Sequence, residues 1–151
     1  MRSHFIALVL CVGSLLSQPS FSQKQPNLSG TWKLNLKRSS WGDTKAKTPT
    51  SLEWRIRQSG NSFKVEIMAD DISNALEFVA DGKRRFAGTA GNIKVLVQAH
   101  WEDRNLVSSA SFESGQLPDL TSRYSLSADG TILTVKRHSA SIDQIFVFEK
   151  K

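Results

Sequence analysis

The stretch LEWRIRQSGNSFKVEI, residues 52–67, decides the fold. Leu52, Trp54 and Ile56 alternate with Glu53, Arg55 and Arg57. After Ser59-Gly60-Asn61 the alternation resumes, with Phe63, Val65 and Ile67 set against Lys64 and Glu66. A strand sends successive side chains to opposite faces, so a period of two predicts strands with one apolar and one charged face. The Ser-Gly-Asn break predicts the loop of an antiparallel hairpin.

The same period runs outward in both directions. Upstream, Trp32, Leu34 and Leu36 alternate with Lys33, Asn35 and Lys37. Downstream, Leu76 and Phe78 lead to the turn Ala80-Asp81-Gly82, and Phe86 precedes a glycine-rich stretch (GTAGN, 88–92) that reads as a break. Ile93, Val95, Val97, Ala99 and Trp101 form the longest alternating run. Glu102-Asp103-Arg104 turns it into Leu106, Ser108, Ala110 and Phe112. Gly115 to Pro118 is a further break, Tyr124 and Leu126 precede Ala128-Asp129-Gly130, and two runs, 132–137 and 144–149, close the chain. About eight to ten strands at roughly ten-residue spacing, with no helical pattern of three turns, predict one all-β domain, either a meander barrel or a sandwich. The polar, proline-containing segment 38–51 is the longest gap between strands and reads as a loop.

Residues 1–22 read differently. Arg2, the apolar run Phe5 to Leu16, and Ser20-Phe21-Ser22 have the layout of a secretory signal peptide cleaved after Ser22. The run is far shorter than the ~20 apolar residues that cross a bilayer, so no membrane span is expected. Cleavage leaves residues 23–151 as the folded domain, and with Arg2 removed the net charge falls from +6 to +5. The expected location is the periplasm or the extracellular space. Cys11, the only cysteine, goes with the leader, which removes disulfides, thiolate metal sites and a cysteine nucleophile from the mature chain. The positive charge is spread out, with Lys83-Arg84-Arg85 as its one tight cluster, and lacks the aromatic interleaving of a nucleic-acid surface.

Chemistry is sparse. His100 and His138 lie far apart with no second ligand type at metal spacing, and no serine sits in a G-x-S-x-G elbow. Asp70, Asp71, Glu102, Asp103 and Asp119 are acids in turns, where carboxylates commonly serve turn geometry. The interior carries more. Trp32, Trp54, Phe63, Phe78, Trp101, Phe112 and Tyr124 all fall on the apolar face. Two packed sheets would bury them as a filled core, whereas one closed sheet would line a lumen with them. Arg137 shares strand parity with Leu133 and Val135, so it points inward or to the rim. Its partner is then a ring face, a carboxylate such as Asp143, or an acidic ligand. Arg123 has the opposite parity to Tyr124 and faces out.

"SGTWKLN" at 29–35, Asp81-Gly82-Lys83, Trp101, "LSADGTILTVKRH" at 126–138 and the closing "VFEK" at 147–150 resemble a group of small secreted bacterial β-proteins. These are similar to calycins, the superfamily of lipocalins and fatty-acid-binding proteins. The resemblance implies an up-and-down antiparallel barrel in which Gly30 and Trp32 form a structural plug at one end, with Arg137 or Lys136 packed across the indole. It also marks departures. Phe146 and Phe148 stand where fatty-acid-binding proteins carry an Arg-x-Tyr acid anchor, the 38–51 segment is too short for their helical lid, and the Thr-Asp-Tyr turn of lipocalins is absent.

The reading is therefore an exported, monomeric, non-catalytic barrel without cofactor. It binds a small apolar or amphipathic molecule through Trp54, Phe78, Trp101, Phe112 and Tyr124, with Arg137 orienting a polar end. Two alternatives stand beside it: a ligand-free, envelope-associated interaction module, and a hydrolase-type enzyme using the turn acids at the rim.

Overall fold

A computed structural model describes residues 24–45 and 47–151; the expected signal segment lies outside them. The strands are β1 Gly30–Leu34, β2 Leu52–Ser59, β3 Ser62–Ala69, β4 Ile72–Val79, β5 Arg85–Ala90, β6 Ile93–Glu102, β7 Asn105–Phe112, β8 Leu120–Leu126, β9 Ile132–Ser139 and β10 Ile142–Lys150. Each pairs antiparallel with the next, and β10 returns to pair with β1, so the sheet closes as a ten-strand up-and-down barrel. Closure leaves no sheet edge exposed. A single 3₁₀ turn, Leu36–Arg38, is the helical element among the described residues.

The alternation translates directly into burial. Trp54, Ile56, Phe63 and Val65 are buried, and the intervening Arg55 and Arg57 are exposed. Five hairpins, at 60–61, 70–71, 91–92, 103–104 and 140–141, turn in two residues. In each the first turn residue has a positive φ: Gly60 57°, Asp70 48°, Gly91 60°, Asp103 53° and Ala140 51°. Such turns match the right-handed twist of the flanking strands. The glycine-rich stretch is not wholly a break, because Gly88, Thr89 and Ala90 belong to β5 and the turn is confined to Gly91-Asn92. Gly88 is what makes this possible. A bulge falls between Phe86 and Gly88, φ there is +149°, and a Cβ would lie 2.6 Å from the Ala75 carbonyl oxygen. Leu76 and Gly88 make the one register pair between β4 and β5.

One end of the barrel is closed. Trp32 has no solvent exposure, and its Nε1–H donates to the Leu28 carbonyl at 2.9 Å. Gln58 holds the crossing segment in place by accepting from the Leu28 N–H at 2.8 Å and donating to the Pro26 carbonyl at 3.3 Å. Phe63 stacks on Phe78 at 5.3 Å between centroids, and Trp101 packs against Phe63 while donating to Asn61 Oδ1. The cation across Trp32 is neither Arg137 nor Lys136 but Lys150, whose Nζ is 5.3 Å from the ring centroid. Register explains this: Lys150 sits directly opposite Trp32 in the β1–β10 pair, whereas Arg137 pairs with Gln144, six residues earlier on β10.

Beyond the 3₁₀ turn, residues 39–42 follow β10. Ser40 and Ile145 exchange backbone hydrogen bonds, Ser39 Oγ accepts from the Val147 N–H, and Gln144 donates to the Trp41 carbonyl. Trp41 meets Phe146 edge-on at 5.1 Å. Truncating the plug removes its packing and its hydrogen bond together. Trp32→Ala is expected to lower unfolding free energy by about 3–5 kcal/mol in a denaturant titration; a loss under about 1 kcal/mol would show that Trp32 does not hold the closed end.

Candidate functional site

Between the closed end and the opposite mouth lies an internal cavity of about 190 Å³. Its existence follows from an uneven distribution of side-chain size. β2, β3 and β4 contribute Trp54, Val65, Ile67, Leu76 and Phe78. On the facing wall, β5 to β8 set small residues (Ala90, Ser108, Ala110 and Ser122) beside Val95, Val97, Phe112, Leu120 and Tyr124, and the small ones leave space that the opposite side chains do not fill. Phe112 and Leu120 stand at the ends of β7 and β8 that flank the 113–119 loop, on the mouth side.

Of the side chains expected to meet a ligand, Trp54, Phe78, Phe112, Tyr124 and Arg137 are on the cavity wall. Trp101 is not. Its parity is inward, but it is the ninth residue of β6, at the closed end, where its indole is committed to Phe63 and Asn61. Trp54 forms the aromatic floor with Phe148 at 4.6 Å and Tyr124 at 6.1 Å, and its Nε1–H is buried without a hydrogen-bond partner. Trp41 was hidden in a polar segment and missed by periodicity. Its only sequence signal was an isolated large aromatic between polar residues.

Arg137 is the one charged residue of the lining. Its guanidinium carbon lies 4.9 Å from the centroid of Phe146, and its Nε is buried with no hydrogen-bond partner. The expected candidate Asp143 is turned away and pairs with His138 at 2.7 Å on the outside. Burial depresses the Arg137 pKa below its ordinary value, partly offset by nearby Tyr124. An arginine nevertheless remains protonated at neutral pH. Phe146, at one of the two positions where the acid anchor was absent, thus carries an arginine from the neighbouring strand on its face.

The turn acids do not converge. Asp70 accepts from the backbone of Thr50 and Ser51 and from the Thr50 hydroxyl, on the mouth side. Glu102, on the closed side, pairs with Arg123 and His100. The hydrogen bond from Thr50 holds the Asp70 pKa below its ordinary value, as that from Arg123 does for Glu102. A general acid at neutral pH needs the opposite shift. Among the described residues no cluster of three or more His, Cys, Asp or Glu could hold a metal, and no helix is long and apolar enough to cross a membrane.

The chain forms a closed antiparallel up-and-down barrel with one plugged end. Solved structures share it. Human cRBP IV superimposes with a TM-score of 0.63 over 83% of this chain and 99% of its own, at 17% identity. The REP1-NXSQ fatty acid transporter gives a TM-score of 0.65 over 82% of this chain and 96% of its own, at 12% identity. No family model and no curated protein sequence matches. At these identities the likeness is one of fold.

Carboxyl titration by NMR is expected to place Asp70 and Glu102 below the ordinary carboxyl range. Because their folded pKa values are depressed, any stability they contribute is present above the unfolded carboxyl pKa and is lost as pH falls through the folded one. A midpoint above about 5 for either would restore an acid–base role.

Proposed function

We infer that this protein is an exported, non-catalytic carrier that holds a small apolar or amphipathic molecule in its lumen. One observation carries the reading: the inward face is not filled, and about 190 Å³ remains beside an aromatic floor. An engineered apolar cavity of about 150 Å³ takes up benzene, so this space suits a single ring or a short alkyl chain. It is below the ~300–1,000 Å³ of sites for drug-sized ligands, so a longer molecule would have to extend through the mouth. The fold's occurrence in a fatty acid transporter agrees with this use.

Export rests on the charged start, short apolar run and Ser-Phe-Ser of residues 2–22. The non-catalytic reading rests on the separation of Asp70 from Glu102 and on the lowered pKa values of these two acids. The interaction-module alternative has less support, because the large apolar side chains that are exposed (Leu36, Ile72, Phe86, Leu117 and Ile145) fall on different elements.

Burying roughly 200 Å² of ligand surface contributes about 5 kcal/mol before association costs, which corresponds to dissociation constants of about 0.1 mM or weaker unless polar contacts add to it. Ligand-observed NMR with benzyl alcohol and 1-hexanol should detect saturable binding, reduced at least fivefold when Ala110→Trp fills the cavity. Absence of binding by both probes and by their acid counterparts, benzoate and hexanoate, would contradict a ligand-holding lumen.

A further inference from the structure

Three polar residues of the cavity wall are arranged in a row. Ser108 on β7 is the register partner of Ser122 on β8, and Ser122 is the partner of Arg137 on β9. All three side chains line the cavity. Arg137 is two residues from the mouth end of β9 and Ser122 two residues from that of β8, whereas Ser108 is four residues from that of β7. Arg137 and Ser122 therefore lie near the mouth ends of their strands, and Ser108 near the middle of its own. Ser108 and Ser122 are both buried. The Nε of Arg137 is enclosed and has no hydrogen-bond partner. The next residue in the row, Gln144, spends its amide on the Trp41 carbonyl and so is removed from it.

The lining contains Arg137 and no Asp or Glu. A guanidinium N–H taken out of water without an acceptor is costly, and the contact with Phe146 meets the ring face but leaves the buried Nε–H unpaired. Two hydroxyls and a planar fork of donors along one wall suit a planar oxyanion, and the aromatic floor at Trp54 and Tyr124 suits an apolar body. We propose that the ligand is a small organic carboxylate, its carboxyl group bound near the mouth by Arg137, Ser122 and Ser108 and its ring or short alkyl chain directed inward onto Trp54. This rests on the ligand-holding reading above and adds the sign of the head group, its position and the size of the body.

The test compares benzoate with benzyl alcohol, and hexanoate with 1-hexanol, by ligand-observed NMR at pH 7. Each acid is expected to bind at least tenfold tighter than its alcohol. Arg137→Gln should abolish that preference. Ser108→Ala/Ser122→Ala should reduce the preference with Arg137 intact. Inorganic phosphate should not displace the acids at equal concentration; displacement would mean a general anion site and would overturn the carboxylate assignment. Equal binding of acids and alcohols to the unaltered protein overturns the proposal and leaves the ligand-holding reading standing. Binding of none of the four removes both. The acid-to-alcohol ratio of the unaltered protein decides the matter even if Arg137→Gln fails to fold.

Discussion

The pairing of the last strand with the first is the constraint on which the rest depends. With Trp32 opposite Lys150 and Leu34 opposite Phe148, every inward side chain of the chain is committed to one enclosed volume. An open sheet could have buried its apolar face against a second sheet and packed it solid. A ring of ten strands encloses more space than its inward side chains fill here, and what remains is the cavity. Trp32 and the crossing segment at Pro26 and Leu28 then close one end, so the space has a floor and a mouth instead of being a channel.

The cavity is sited by an asymmetry of size around the ring. Inward side chains of β2 to β4 and β10 are mostly large, whereas β5 to β8 mix Phe112, Leu120 and Tyr124 with the small Ala90, Ser108, Ala110 and Ser122. The bulge at Gly88 contributes to the same asymmetry, since no larger residue could let β5 approach Ala75 so closely. Arg137 sits at the border of the two halves, on β9, between the phenyl face of Phe146 and the hydroxyls of β7 and β8. Its position explains how a barrel without an arginine on its last strand still presents a cation to its interior.

Much of this was legible in the residues, and the limits have physical causes. A period of two reports which face a side chain takes, so the strands, the hairpin at Gly60-Asn61 and the inward direction of Trp54, Phe78, Tyr124 and Arg137 could all be read. Periodicity does not report height along the barrel. Trp101 and Phe112 share a face but lie toward opposite ends, and only Phe112 reaches the cavity. Nor does it report register between distant strands, which is why Lys150 and not Arg137 lies over Trp32. The strand at Gly88 to Ala90 was obscured because glycine reads as a break even where a close backbone approach requires it. Whether the lumen is full depends on volumes summed across ten strands, and composition alone leaves that sum undetermined.

The central claim is an accessible apolar space between the plugged end and the mouth, and a crystal of the protein under xenon pressure tests it most directly. Xenon enters dry apolar cavities of this size. The account predicts a xenon atom enclosed by Trp54, Phe78, Val97 and Ala110, side chains of the cavity wall. A lumen without xenon, its volume taken up by repositioned Trp54 and Phe112, would contradict it.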